Sequence, residues 1–301
     1  MQTGTHATPG NIVRPEARVR DFTAMLEVEI AGDHIDLPSY PEVALRVRRV
    51  LADEEVSIDQ VVRVVSAEPS LVVRLLQLGN SAALNPSGRR LTDLRAAITR
   101  IGFNMARSAT IAFAMSQLRR AEAYKGLEKP FNELWRNSTQ VAAVSFVVAK
   151  RLTKVNAELA LLAGLLHTVG KLYLLTRAAR YPELLNDTVA YPALVQAWHA
   201  RIARAILVNW EMAPPVIDAV QGFEAADRER EGEIDLLDVL WVGRSLAALP
   251  RPASAIPPPV MPQELLESHP ARRLGLDAAA CAEILVESGR EIDSLARALA
   301  D

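Results

Sequence analysis

Between Pro15 and the C-terminus, apolar residues recur at three- and four-residue steps, and no run alternates apolar and polar with a period of two. That spacing suits amphipathic helices, because side chains three or four positions apart share one helical face. Val19, Phe22, Met25, Leu26 and Ile30 set the pattern in the first segment. Proline and glycine punctuate it. Leu37-Pro38-Ser39-Tyr40-Pro41 must be extended or turned, and Pro41 is placed to open the next helix. Ser57-Ile58-Asp59-Gln60 reads as a capping box. Pro69 begins a helix that Gly79-Asn80-Ser81 closes, and Thr92 is the expected N-cap of a segment that Gly102 ends. Further helices are expected over 105–118, 134–152, 158–167, 170–176, 184–189, 193–210, 215–223, 236–249 and 278–299. The expected fold is therefore all-α, a two-subdomain helical bundle. Residues 1–13 read as a disordered tail, 14–126 as an N-terminal helical subdomain and 127–225 as a second helical subdomain. Residues 226–301 read as a C-terminal helical extension, with a proline-rich connector at 250–262 that holds six of the eighteen prolines.

Composition narrows the function. Lys plus Arg is 34 and Asp plus Glu is 36, which excludes a generally basic nucleic-acid coat. The single cysteine, Cys281, excludes a disulfide framework and a cysteine-rich zinc module. No apolar run is read as a membrane span, no secretory signal is read at the start, and the expected compartment is the cytoplasm. Charge is polarised along the chain. Residues 37–120 carry twelve arginines, no lysine and seven acids, whereas the region from Gln221 onward carries eight basic and fifteen acidic residues. Arg46 and Arg49, Arg89 and Arg90, and Arg119 and Arg120 are candidates for binding an anion or an acidic partner, since guanidinium forks match phosphate and carboxylate. A solvated surface is the simpler account of them.

One segment carries chemistry. Gly164-Leu165-Leu166-His167-Thr168-Val169-Gly170-Lys171 ends an apolar helix on a histidine between two glycines. It resembles the signature of the HD phosphohydrolase superfamily, in which His and Asp sit side by side and hold a divalent metal. Leu37–Ala44, Glu68-Pro69-Ser70-Leu71, Leu78-Gly79-Asn80-Ser81-Ala82, Thr92–Ile98 with Ile101-Gly102, and Leu134-Trp135-Arg136-Asn137-Ser138 resemble, in that order, the blocks of the HDOD domain (HD-related output domain). The resemblance runs from about Leu37 to about Phe223. It implies a bacterial signalling or regulatory module and makes 127–225 a degenerate HD-like subdomain.

The departures set the expectation for chemistry. Thr168 stands where the paired aspartate would be, Asn137 where the first histidine would be, and Gly222-Phe223 where many relatives carry a histidine pair. A neutral hydroxyl cannot supply the carboxylate that a dication needs. His199 is retained, and Glu224 or Asp218 could add a carboxylate, though spacing singles out neither. No catalytic residue, metal or cofactor is therefore assigned. Asn137, His167, Thr168, Lys171 and His199 are the candidate ligand-pocket residues, and a groove between the two subdomains is the expected binding place. The reading is a non-catalytic regulatory module that binds a signalling protein partner or a small nucleotide. The alternatives are a divergent metal-dependent phosphohydrolase acting on a nucleotide, and a nucleic-acid-binding regulator that uses the N-terminal arginines.

Overall fold

The computed structural model describes residues 15–32, 35, 42–51, 53, 55–119, 124–225, 229, 231–250 and 260–300. The expected tail at 1–13, most of the 37–44 block, most of the proline-rich connector, Arg120 and the Arg119 side chain lie outside them. Every described element is helical: α1 Pro15–Ala31, α2 Glu42–Val50, α3 Ile58–Val65, α4 Pro69–Gly79, α5 Leu94–Arg119, α6 Glu128–Leu152, α7 Ala157–Leu166, α8 Val169–Ala178, α9 Pro182–Leu185, α10 Ala190–Asn209, α11 Pro214–Gly222, α12 Leu236–Ala247, α13 Gln263–Glu267, α14 His269–Arg273, α15 Ala278–Ala282 and α16 Gly289–Ala300.

Local signals explain many of the boundaries. Ser57 and Gln60 form the reciprocal capping box of α3. Glu68 caps α4 through the Ser70 amide, with Pro69 at its first position. At α5 the cap is Asp93 rather than Thr92, because the Asp93 carboxylate accepts from Ala96 N at 2.7 Å. Gly102, at φ 76°, breaks α5 into two segments, a backbone conformation that a side chain disfavours. Helix α6 starts at Glu128, six residues before the expected start, since Pro130 falls in its first turn and needs no N–H there. The expected helix at 184–189 shrinks to α9, because Asp187 Oδ1 accepts from Val189 N and Ala190 N and so opens α10 instead. The expected final helix is interrupted. A π-turn over Glu283–Glu287 separates α15 from α16, and Ser288 N reaches back to Glu283 O at 3.3 Å. The short helices α13 and α14 had no counterpart in the sequence reading.

Helix α6 is the axis of the fold. Val141 to Ala149 are all buried, so this stretch is covered on every side rather than along one stripe. Helices α7, α12, α16 and α5 pack around it, α10 packs on α8 and α11, and α4 packs on α5. Packing does not follow chain order. Helix α1 lies against α9 and α10, held by Phe22 edge-on to Tyr181 and by Glu29, which accepts from the Tyr173 hydroxyl and pairs with Arg177. Helix α12 lies against α6 and α7. The stretch 157–178 has the length and apolarity of a membrane span, but 89% of its window is buried in the fold, and α7 and α8 divide it at His167-Thr168.

The seam expected to be an open groove is filled by α16, which touches α4, α5 and α6. Arg74, buried in α4, donates to Leu299 O at 2.8 Å, and Trp135 Nε1 in α6 donates to Ala300 O at 3.2 Å. These donors satisfy the last carbonyls of the helix, which have no partner within it. Ser294 Oγ accepts from Ala82 N, and Glu291 pairs with Arg151 and Lys150.

Candidate functional site

His167 follows the last residue of α7 and Thr168 precedes α8, so the turn between two buried helices presents both side chains to the interior. His167 is 1% exposed. Its Nδ1 lies 2.6 Å from Gly164 O, which can only accept, so Nδ1 carries the proton. Nε2 is left as a buried lone pair with no hydrogen-bond partner. The ring stands edge-to-face with Phe223 at 5.6 Å and 81°, and the Arg244 guanidinium lies 5.6 Å from that phenyl ring. Burial is the main cause that lowers the His167 pKa to about 4, and the neighbouring Lys171 and Arg244 charges act in the same direction. His167 is therefore neutral at physiological pH.

Thr168 is also buried, and its hydroxyl lies 2.5 Å from the Ser138 hydroxyl on α6. The carboxylate of an HD pair is thus replaced by a closed pair of hydroxyls. On the other side, His199 on α10 donates from Nε2 to Glu224 Oε2 at 2.8 Å, and Lys171 Nζ on α8 bonds the same carboxylate at Oε1, 3.1 Å away. The His199 hydrogen bond is the largest cause that pulls the Glu224 carboxyl down to about 2. Partial burial opposes it and the Lys171 charge assists. Gly170 lets α8 approach α10 here, since a Cβ at that position would stand 2.0 Å from His199 O. Sequence reasoning left Glu224 level with Asp218. The structure separates them, because Asp218 pairs instead with Arg204 at 3.4 Å.

The five candidate pocket residues do not line one pocket. Asn137 and Lys171 border a hollow of about 320 Å³ walled by Leu134, Leu175, Tyr191 and Val195. His167, Thr168 and His199 do not line it and are nearly inaccessible. A dication does not fit the residues present. Among the described residues, no group of three or more His, Cys, Asp or Glu side chains converges. The carboxylate and one imidazole are bonded to each other, and a lysine ammonium already holds the cationic place beside them.

Of the described arginine candidates, Arg46 and Arg49 lie on α2, and Arg89 and Arg90 lie in the stretch between α4 and α5. Arg46 lies 4.0 Å from Glu42 on the same exposed helix face, and Arg49, Arg89 and Arg90 are exposed. Other arginines of the region have partners within the fold: Arg95 pairs with Asp59 at the surface, Arg100 bonds the carbonyls of Gly79 and Arg89, Arg107 bonds Leu51 O, and Arg74 bonds Leu299 O. The positive excess counted along the sequence is partly spent on holding the fold.

The order of blocks, the all-helical bundle and the His167-Thr168 turn converge with a match to the HDOD domain over residues 37–225, more than half of the chain. The chain belongs to the HDOD domain family. A crystal structure of a protein from Shewanella amazonensis SB2B, named "Putative metal-dependent phosphohydrolase", superposes on this HDOD protein with a TM-score of 0.70. The two are 24% identical, and the match covers 94% of this chain and 99% of that one. A "Putative signal transduction protein" from Marinobacter aquaeolei VT8 superposes with a TM-score of 0.60 at 21% identity, covering 96% of this chain and 67% of that one. At these identities the likeness is one of fold. A Treponema pallidum (strain Nichols) protein, "Uncharacterized protein", is 23% identical over 227 residues. That match takes in 70% of this chain and 42% of the relative's length, so the chain matches less than half of that protein.

Proposed function

We propose that this HDOD protein is a non-catalytic regulatory module that engages a signalling partner or a small nucleotide. The observation that carries this reading is the Lys171–Glu224–His199 cluster. A metal-dependent hydrolase requires a complete set of ligands around its ion. Here the retained histidine and the nearest carboxylate satisfy one another, and Lys171 supplies the countercharge. Thr168 and Ser138 close the remaining polar gap. The membership in a family of HD-related output domains supports a regulatory role. The hollow beside Asn137 and Lys171, whose other lining is apolar apart from Glu133 and the Tyr191 phenol, suits an apolar side chain of a partner segment with a polar anchor.

The test is an assay of the purified protein against nucleotides and phosphodiesters with Mn²⁺, Mg²⁺ or Fe²⁺, with thermal melting in parallel. We expect no turnover and no metal-induced stabilisation. Turnover that disappears in His167→Ala would restore the hydrolase reading.

A further inference from the structure

The largest hollow among those described lies away from the HD-like turn, on the outer side of α10. It measures about 710 Å³, within the range of small-molecule sites, and opens between α1 and the corner joining α10 to α11. Its apolar wall is Ile30, Ile35 and Val208. Its polar groups include Arg201, Arg204 and Glu211. Arg201 and Arg204 lie three residues apart, so one face of α10 carries both guanidiniums. Arg201 stacks over the Trp198 ring at 4.8 Å. Arg204 Nη1 is fixed by Gln221 Oε1 at 2.9 Å and Asp218 Oδ1 at 3.4 Å, both on α11.

A second observation points to the same place. Glu211, at φ 51°, has the one positive φ among described non-glycine residues. It sits just past the end of α10, where Met212 N bonds Leu207 O at 3.0 Å and Glu211 N bonds Val208 O at 2.9 Å. That geometry is a helix-terminating motif in which glycine is the usual residue. The turn needs the conformation but not the carboxylate. Strain retained at a cavity is a reason to look for a use.

The charges make a pattern rather than a net attraction, because Glu211 and Asp218 balance the two arginines. A bare anion would meet the Glu211 carboxylate. A molecule with an anion at one end, N–H donors at the other and an uncharged body between them has a partner of suitable charge at each end. We propose that this cleft binds a nucleoside monophosphate, with its phosphate on Arg201 and Arg204 and the N–H edge of its base on Glu211. The inference deepens the nucleotide arm of the proposed function and rests on it. Helix α10 links the sites, since Tyr191 and Val195 near its start wall the hollow beside Lys171.

Calorimetric titration with AMP, GMP, CMP and UMP tests the site, with the free nucleosides and inorganic phosphate as controls. We expect one-to-one binding of at least one monophosphate, weakened by at least about tenfold in Arg201→Ala and in Arg204→Ala, the order of one lost charge-assisted hydrogen bond. Glu211→Gly should weaken binding while raising the melting temperature, because glycine relieves the backbone. No binding by any of the four, undiminished binding in the arginine variants, or equal binding of inorganic phosphate overturns the site. Failure of the site leaves the non-catalytic reading standing. Hydrolysis of a bound nucleotide would instead refute that reading and leave the site.

Discussion

At the scale of single residues, the buried His167-Thr168 turn makes stability depend on pH. His167 stays neutral in the fold down to about pH 4, whereas the unfolded chain protonates it near 6.5. Above pH 6.5 both states are neutral and the shift contributes nothing. As pH falls from 6.5 to 4 the unfolded state gains a proton that the native state refuses, so stability falls. The loss approaches about 3 kcal/mol at most. Urea melts between pH 7 and pH 4 should show it, and His167→Asn should flatten that slope. Glu224 is shifted in the same direction, over a lower pH range. Its folded pKa lies below the unfolded one, so its contribution is present above about 4.5 and fades as pH falls towards 2. The hydroxyl pair makes a separate prediction. Thr168→Val leaves the Ser138 hydroxyl buried without its partner and should cost about 1–3 kcal/mol. The double variant Thr168→Val, Ser138→Ala should recover most of that, and a double-mutant cycle on denaturant midpoints measures the coupling.

At the scale of elements, caps decide where helices begin. Asp93→Ala should lower stability by about 1 kcal/mol, whereas Thr92→Ala should leave the melting curve nearly unchanged. Gly170→Ala should be far more damaging, since α8 and α10 would have to part, and reduced soluble yield or a lowered melting temperature would report it. Helices were legible wherever an apolar stripe met a capping side chain, as at Ser57 and Pro69. They were less legible where a local side chain competed, as Asp187 does before α10, or where one residue too many had to be absorbed, as in the π-turn before α16. The candidate site was half legible. Its histidines and threonine could be placed by their order along the chain. Glu224 could not, because its role comes from a contact with His199 across 25 residues that no periodicity encodes. The cleft behind Glu211 left no signal either, since the sign of a backbone dihedral is invisible in residue order.

At the scale of the whole molecule, the expected boundaries at 126 and 225 are crossed by packing. Helix α1 joins α9 and α10, α12 joins α6, and α16 closes the seam between α4 and α6. Arg74→Met should destabilise the protein by about 1–3 kcal/mol, because the Leu299 carbonyl loses a buried donor. It should also raise amide hydrogen exchange across both α4 and α16, not in one alone. The Arg74 contact has a consequence in time. Its acceptor lies 225 residues further along. A ribosome delivers about 5–20 residues each second, so the Arg74 guanidinium waits at least ten seconds or so for that acceptor to be made. During synthesis that guanidinium stays hydrated until α16 arrives to cover it, so the α4–α16 contact is among the late ones to form.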